Sequence, residues 1–156
     1  MACMTRPFVK MNGAGNDFVV VNALEQPFAP GDVQIRALGD RETGEGFDQL
    51  IAIEPSDRAD AFMRVWNADG SMVETCGNAL RCVGWLLMEA NGSDHVVIDT
   101  AAGIGSNITY ANPGGRRRGL LHGGADRPGP APRLPRGARR GVDRGVWCAG
   151  CWLSLI

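Results

Sequence analysis

The sequence predicts a mixed α/β (α+β) domain over residues 1–104. Three observations carry this: apolar runs of strand length alternate with helix-like periodicity, Gly, Asn and Asp turn signals bound them, and no internal repeat organises them. FVKMNGAGNDFVVVNA, residues 8–23, offers a short apolar strand, a Gly-Asn loop and a second strand through Phe18 to Val21, which fits a hairpin. From 30 to 40, Val33, Ile35, Ala37 and Leu38, flanked by Gly31-Asp32 and Gly39, predict a short helix. QLIAIE at 49–54 reads as a strand, and AFMRVWNADGS at 61–71 as another that ends in an Asp-Gly turn. A helix follows in TCGNALRCVGWLLMEANG, residues 75–92, and HVVIDTAAG reads as the last strand.

In that helix Ala79, Leu80, Val83, Leu86, Leu87 and Ala90 recur at three- and four-residue spacing and predict one buried face. Thr75 is an acceptable N-cap, and Asn91-Gly92 supplies the stop. Cys76 and Cys82 then lie about 9 Å apart along the axis and about 120° apart around it, so a disulfide between them is excluded while the helix exists. A metal site is disfavoured as well, because neither a CxxC pair nor a nearby histidine accompanies them; His95 lies beyond the helix. Cys82 reads as a small buried or half-buried side chain. Cys76, in the first turn, faces unpaired backbone N–H groups and the positive end of the helix dipole, a setting that favours a thiolate. Gly77 and Asn78 extend the same site, since glycine admits a ligand close to the backbone and free N–H groups bind a carboxylate. From spacing alone, packing at a helix start and chemical reactivity are both open readings of Cys76.

The 156 residues, 44% apolar and 21% charged, describe a globular chain of one domain or a fragment of a larger one. No apolar run approaches the roughly 18 to 20 residues that span a bilayer, and the start MACMTRPFVK lacks the apolar stretch of a signal peptide. Five cysteines without a compact framework fit a reducing compartment, so a cytoplasmic location is expected. The net charge of -1 conceals a split: residues 1–111 carry 7 basic and 15 acidic side chains, whereas 112–156 carry 9 arginines and 2 acidic groups. In that second part Gly, Pro, Ala and Arg fill 28 of 45 positions with neither strand nor helix periodicity, a composition that cannot bury enough surface to offset its ordering entropy. The expected division is therefore a domain over 1–104 and an Arg/Gly/Pro-rich tail over 105–156. Two readings of the tail are open: GC-rich DNA translated out of frame after a junction between Ile104 and Pro113, or a real, disordered basic tail.

The segments MNGAGNDFVVVNA, GFDQL and WNADGSMVETCGNALRC, in that order, resemble diaminopimelate epimerase, and the resemblance covers residues 8 to about 104. It implies an enzyme that interconverts LL- and meso-diaminopimelate on the route to lysine and peptidoglycan, without pyridoxal phosphate or any other cofactor. The implied fold has two similar domains, each a curved β-barrel-like sheet around a central helix, with only the first present here. Cys76 is implied as one of two catalytic thiols; Asn16, Gln49 and Asn67 as substrate contacts; and Gly77 and Asn78 as backbone binders of the substrate α-carboxylate. No metal site is implied, and the full-length relative is implied to be a homodimer.

Inverting an α-carbon requires removing a proton from one face and delivering one to the other, so the family places a thiolate and a thiol on opposite sides. The carbanion between them needs preorganised donors in a cleft closed against water. Amides suit a zwitterion, because each offers donors and acceptors. Nothing after Gly105 resembles the glycine-flanked cysteine motif that would supply the second thiol. WCAGCW at 147–152 has redox-motif spacing but only five residues after Cys151 for the helix such a motif needs. GAGNDF at 13–18 begins like a dinucleotide loop, yet Phe18 stands where the third glycine belongs. The competing reading is a non-catalytic fragment whose tail, with Arg116 to Arg118 and RGARRG at 136–141, binds nucleic acid or another polyanion.

Overall fold

A computed structural model describes residues 5–13, 15–93, 95–111, 118–122 and 143–148, with residue 5 and those from 104 onward given by backbone alone. β1 (Thr5–Gly13) and β2 (Asn16–Asn22) make the expected hairpin, Gly13 pairing with Asn16 and Phe8 with Val21. A crossover through α1 (Asp32–Gly39) brings β3 (Gln49–Glu54) parallel to β2, with Phe18 beside Gln49. β4 (Ala61–Asn67) returns antiparallel to β3 and places Asn67 beside Gln49. The two-residue β5 (Met72–Val73) pairs with β4. After α2 (Gly77–Asn91), β6 (His95–Thr100) runs parallel to β4, and β7 (Gly103–Ala111) antiparallel to β6.

Strands β5 and β7 lie outside the sequence expectation, which ended at HVVIDTAAG. β5 is too short to show a period, and β7 begins two residues after β6 in a stretch rich in glycine and polar residues. Two segments of the arginine-rich region also take strand positions: β8 (Arg118–His122) beside β7 and β9 (Asp143–Cys148) beside β1. Composition predicts no regular structure there; edge pairing is made by backbone groups and needs no side-chain period. The resulting nine-stranded sheet has the order β8-β7-β6-β4-β3-β2-β1-β9, with β5 off β4.

Both faces of the sheet are covered, and strand alternation decides which residue goes where. Phe18 and Val20, Ile51 and Ile53, Met63 and Val65, and Val96 and Ile98 point to one face and meet Ala79, Leu80, Val83, Leu86, Leu87 and Met88 of α2. Their neighbours Val19 and Val21, Leu50 and Ala52, and Trp66 point to the other face, where Ile35 of α1, Phe8 and Phe47 complete a second core. Helix α2 touches β1 and β2 toward one end of the sheet and β6, β7 and β8 toward the other, so the sheet curls around it. This is the curved sheet around a central helix expected for one domain.

The helix ends are set by local chemistry. Gly92 closes α2 at φ 63°, a left-handed conformation that glycine adopts without strain, and its N–H bonds to the Met88 carbonyl. At the other end the N-cap is Cys76 rather than Thr75, a correction of one residue. Cys76 has the extended φ and ψ of -144° and 115° that an N-cap adopts, and its carbonyl accepts the Leu80 N–H at 2.9 Å. Gly13 makes the closest approach to this end. A Cβ there would lie 2.9 Å from Cys82 Sγ, 2.9 Å from a Phe18 ring carbon and 3.2 Å from the Asn78 carbonyl oxygen, so only glycine lets the hairpin end rest on the first turn of α2.

Candidate active site

The alternation that builds the core also builds the site. Phe18 and Val20 face α2, so Asn16, two residues earlier on β2, starts on the same face. Gln49 precedes Ile51 and Ile53 on β3, and Asn67 follows Met63 and Val65 on β4, with the same parity. All three stand at one end of the sheet, and the chain after β5 returns there to begin α2 with Cys76, Gly77 and Asn78. The Asn78 side chain donates through Nδ2 to Asn16 Oδ1 at 3.0 Å, joining the helix start to the hairpin across 62 residues of sequence. Gln49 Nε2 donates to Asn67 Oδ1 at 3.1 Å.

Cys76 is half-buried, packs against the edge of the inner core and makes no side-chain capping bond. The N–H groups of Gly77, Asn78 and Ala79 have no acceptor within the helix by its geometry, an arrangement that is chemically suited to an anion. Cys82 is buried and unbridged. Burial pushes its thiol up to about 11; a thiolate on Cys76 would add to that shift, while Arg81 opposes it. It is packing material, as its place on the helix predicts. Among the described residues no group of three or more His, Cys, Asp and Glu is placed to hold a metal ion.

The motif reading missed the residues behind this front. Arg81 Nη1 donates to Asn78 Oδ1 at 2.9 Å. Asn67 Nδ2 donates to Ser71 Oγ at 3.0 Å, and Ser71 Oγ donates to Asp69 Oδ1 at 2.6 Å. On the opposite face Arg41 bridges Asp17 at 3.1 Å and Asp48 at 2.8 Å, and Asp48 also accepts the Asp17 N–H at 2.8 Å. Donation from Asn12 first, and from Arg41 second, holds the Asp17 carboxyl below the usual carboxylate range. These charges are largely exposed, so the clasp registers the starts of β2 and β3 more than it stabilises the fold. The Arg81–Asn78 contact was legible as an i, i+3 pair on a helix, and Asp69–Ser71 as an Asx turn. A pocket of about 320 Å³, lined by Lys10, Asn12, Asp17, Arg41 and Glu45 among others, opens beside the hairpin and includes none of the six predicted residues.

A sheet curled about a helix that presents a thiol at its N-terminus defines the class of this domain. Its fold is shared with a hydroxyproline epimerase from Agrobacterium vitis, at a TM-score of 0.53 and 17% identity over 72% of this chain and 39% of that one. The family model for diaminopimelate epimerase matches residues 8–115, and the chain belongs to that family. It is 60% identical over 102 residues to the diaminopimelate epimerase of Phenylobacterium zucineum, covering 65% of this chain and 37% of the relative. It is 50% identical over 108 residues to that of a Caulobacter species, covering 64% of this chain and 37% of the relative. The chain thus spans little more than a third of the length of these relatives. None of these matches supports the polyanion-binding alternative.

The raised thiol of Cys82 has a sign that can be checked. A folded-state value of about 11 against an ordinary 9.0 means that the neutral form is favoured by folding. Its contribution is complete below pH 9 and is lost as pH rises toward 11. Urea unfolding at pH 8 and at pH 10.5 should therefore show a loss of stability on alkalinisation that is smaller in Cys82→Ala; an equal loss in both proteins would refute the assignment.

Proposed function

We propose that this chain is the first domain of a diaminopimelate epimerase in which Cys76 exchanges the substrate α-proton on one face. The observation that supports this reading most strongly is the meeting of Cys76 and the α2 N-terminus with Asn16, Gln49 and Asn67 at one end of the inner sheet face. The names of the relatives supply the substrate, diaminopimelate.

In this reading the substrate α-carboxylate rests on the N–H groups of Gly77 and Asn78, where the helix dipole stabilises the charge that grows as the α-proton leaves. Cys76 as a thiolate takes that proton, or as a thiol returns one, while the amides hold the zwitterion. A second thiol on the opposite face comes from the part of the enzyme that this chain does not span. No cofactor enters the reading. The complete enzyme works in the cytoplasm as a homodimer, and the domain ends within the span 104–113, past which the chain is out of frame or without a fold of its own.

Joined after residue 104 to the remaining part of the Phenylobacterium zucineum relative, the chain should interconvert LL- and meso-diaminopimelate and sediment as a dimer. Cys76→Ala should reduce turnover about 10²- to 10⁴-fold, the range of a lost general acid or base, whereas Cys82→Ala should lower stability alone. Substantial turnover in the Cys76 variant would reject its role. Sequencing the DNA across codons 100–115 tests the boundary. A folded α/β half with a glycine-flanked cysteine in another frame is expected, and absence of an open alternative frame would reject the frame error.

A further inference from the structure

Each amide in the site can present either its oxygen or its nitrogen, and only its neighbours decide which. Two chains of hydrogen bonds end in groups that leave no choice. Asp69 is a carboxylate, held below the usual range first by the Ser71 hydroxyl and then by the Ser71 N–H, so it only accepts. Ser71 Oγ gives its one proton to Asp69 at 2.6 Å and can therefore only accept from Asn67, whose Nδ2 lies at 3.0 Å. Asn67 then turns Oδ1 toward Gln49, which answers with Nε2 at 3.1 Å. What remains is Gln49 Oε1, the one buried side-chain oxygen or nitrogen without a partner among the described residues.

The second chain has the opposite polarity. Arg81 is a guanidinium and only donates. Asn78 meets it with Oδ1 at 2.9 Å, which turns Asn78 Nδ2 to Asn16 Oδ1 at 3.0 Å. Asn16 is left with Nδ2, a donor, turned away from Asn78.

We propose that Asp69 and Arg81 are positioning residues that fix the polarity of these two amide chains, so that Gln49 offers an acceptor and Asn16 a donor to a zwitterionic ligand. Gln49 Oε1 then takes an ammonium, and Asn16 Nδ2 takes a carboxylate oxygen next to the anion cradle of α2. Neither Asp69 nor Arg81 touches the ligand; each sets a front residue one or two side chains away. The inference rests on the functional reading for the location of the substrate, but the polarity of the chains can be read without substrate.

The test uses the 156-residue chain labelled with ¹³C and ¹⁵N, and reads scalar couplings transmitted across side-chain hydrogen bonds. Couplings are expected from Asn78 Nδ2 to Asn16 Cγ and from Gln49 Nε2 to Asn67 Cγ. In Arg81→Met the first coupling should be lost or joined by its reverse, from Asn16 Nδ2 to Asn78 Cγ, while Arg81→Lys, still a pure donor, keeps the original direction. Asp69→Asn, at an exposed turn, should release the second coupling in the same way. Propionate should shift the Asn16 amide and propylammonium the Gln49 amide, and the propionate response should be lost in Arg81→Met. Reversed couplings in the unaltered chain, or unchanged direction and probe response in both Arg81→Met and Asp69→Asn, would overturn the proposal. Couplings as expected together with no response to diaminopimelate would reject the functional reading and leave the polarity assignment standing.

Discussion

The burial of α2 inside the curl of the sheet is the constraint on which the other features depend. Leu80, Val83, Leu86, Leu87 and Met88 are all at most 4% exposed. Each such side chain contributes about 1.5–3 kcal/mol by leaving water. That packing fixes the rotation of α2, and the rotation fixes where its N-terminus emerges. Because Cys76 is the N-cap, the position of the thiol follows from the position of the core. Gly13 tightens the arrangement by letting the hairpin end lie against Cys82 and the Asn78 carbonyl.

Strand alternation then divides labour between the two faces. On the α2 face the last residues of the alternating series are Asn16, Gln49 and Asn67, polar where their predecessors are apolar, because the core has ended and the site has begun. On the α1 face the corresponding strand starts carry Asp17 and Asp48, tied by Arg41. One parity carries the proposed ligand contacts and the other gives registration, and a shift of one residue in β2 or β3 would exchange them.

Much of this was legible in the sequence. QLIAIE is β3 residue for residue, and FVVVN and AFMRVWN carry β2 and β4, because full burial makes their apolar runs dense. The helix was legible from the spacing of Leu80, Val83 and Leu87, and its stop from Gly92. The N-cap moved from Thr75 to Cys76 because composition ranks caps by side chain, whereas here the backbone at Cys76 makes the turn without a side-chain bond. Strands β8 and β9 had no pattern to read, since their pairing is by backbone. The six candidate site residues came from motif order; Arg81, Asp69 and Ser71 did not, because each faces another side chain, a relation that no hydrophobic period encodes.

In the proposed reading the chain supplies one of two reacting thiols and one part of the substrate site, and it spans 37% of its relatives' length. On that reading, binding is the step the chain can be asked to perform alone. The most direct measurement of the central claim is a titration of the ¹⁵N-labelled chain with diaminopimelate, followed at the backbone amides of Gly77 and Asn78 and the side-chain amides of Asn16, Gln49 and Asn67. Saturable shifts confined to that end of the inner sheet face are predicted. Shifts that map instead to the pocket lined by Lys10, Asp17 and Arg41, or that are unchanged by Cys76→Ala and by Asn16→Ala alike, would contradict it.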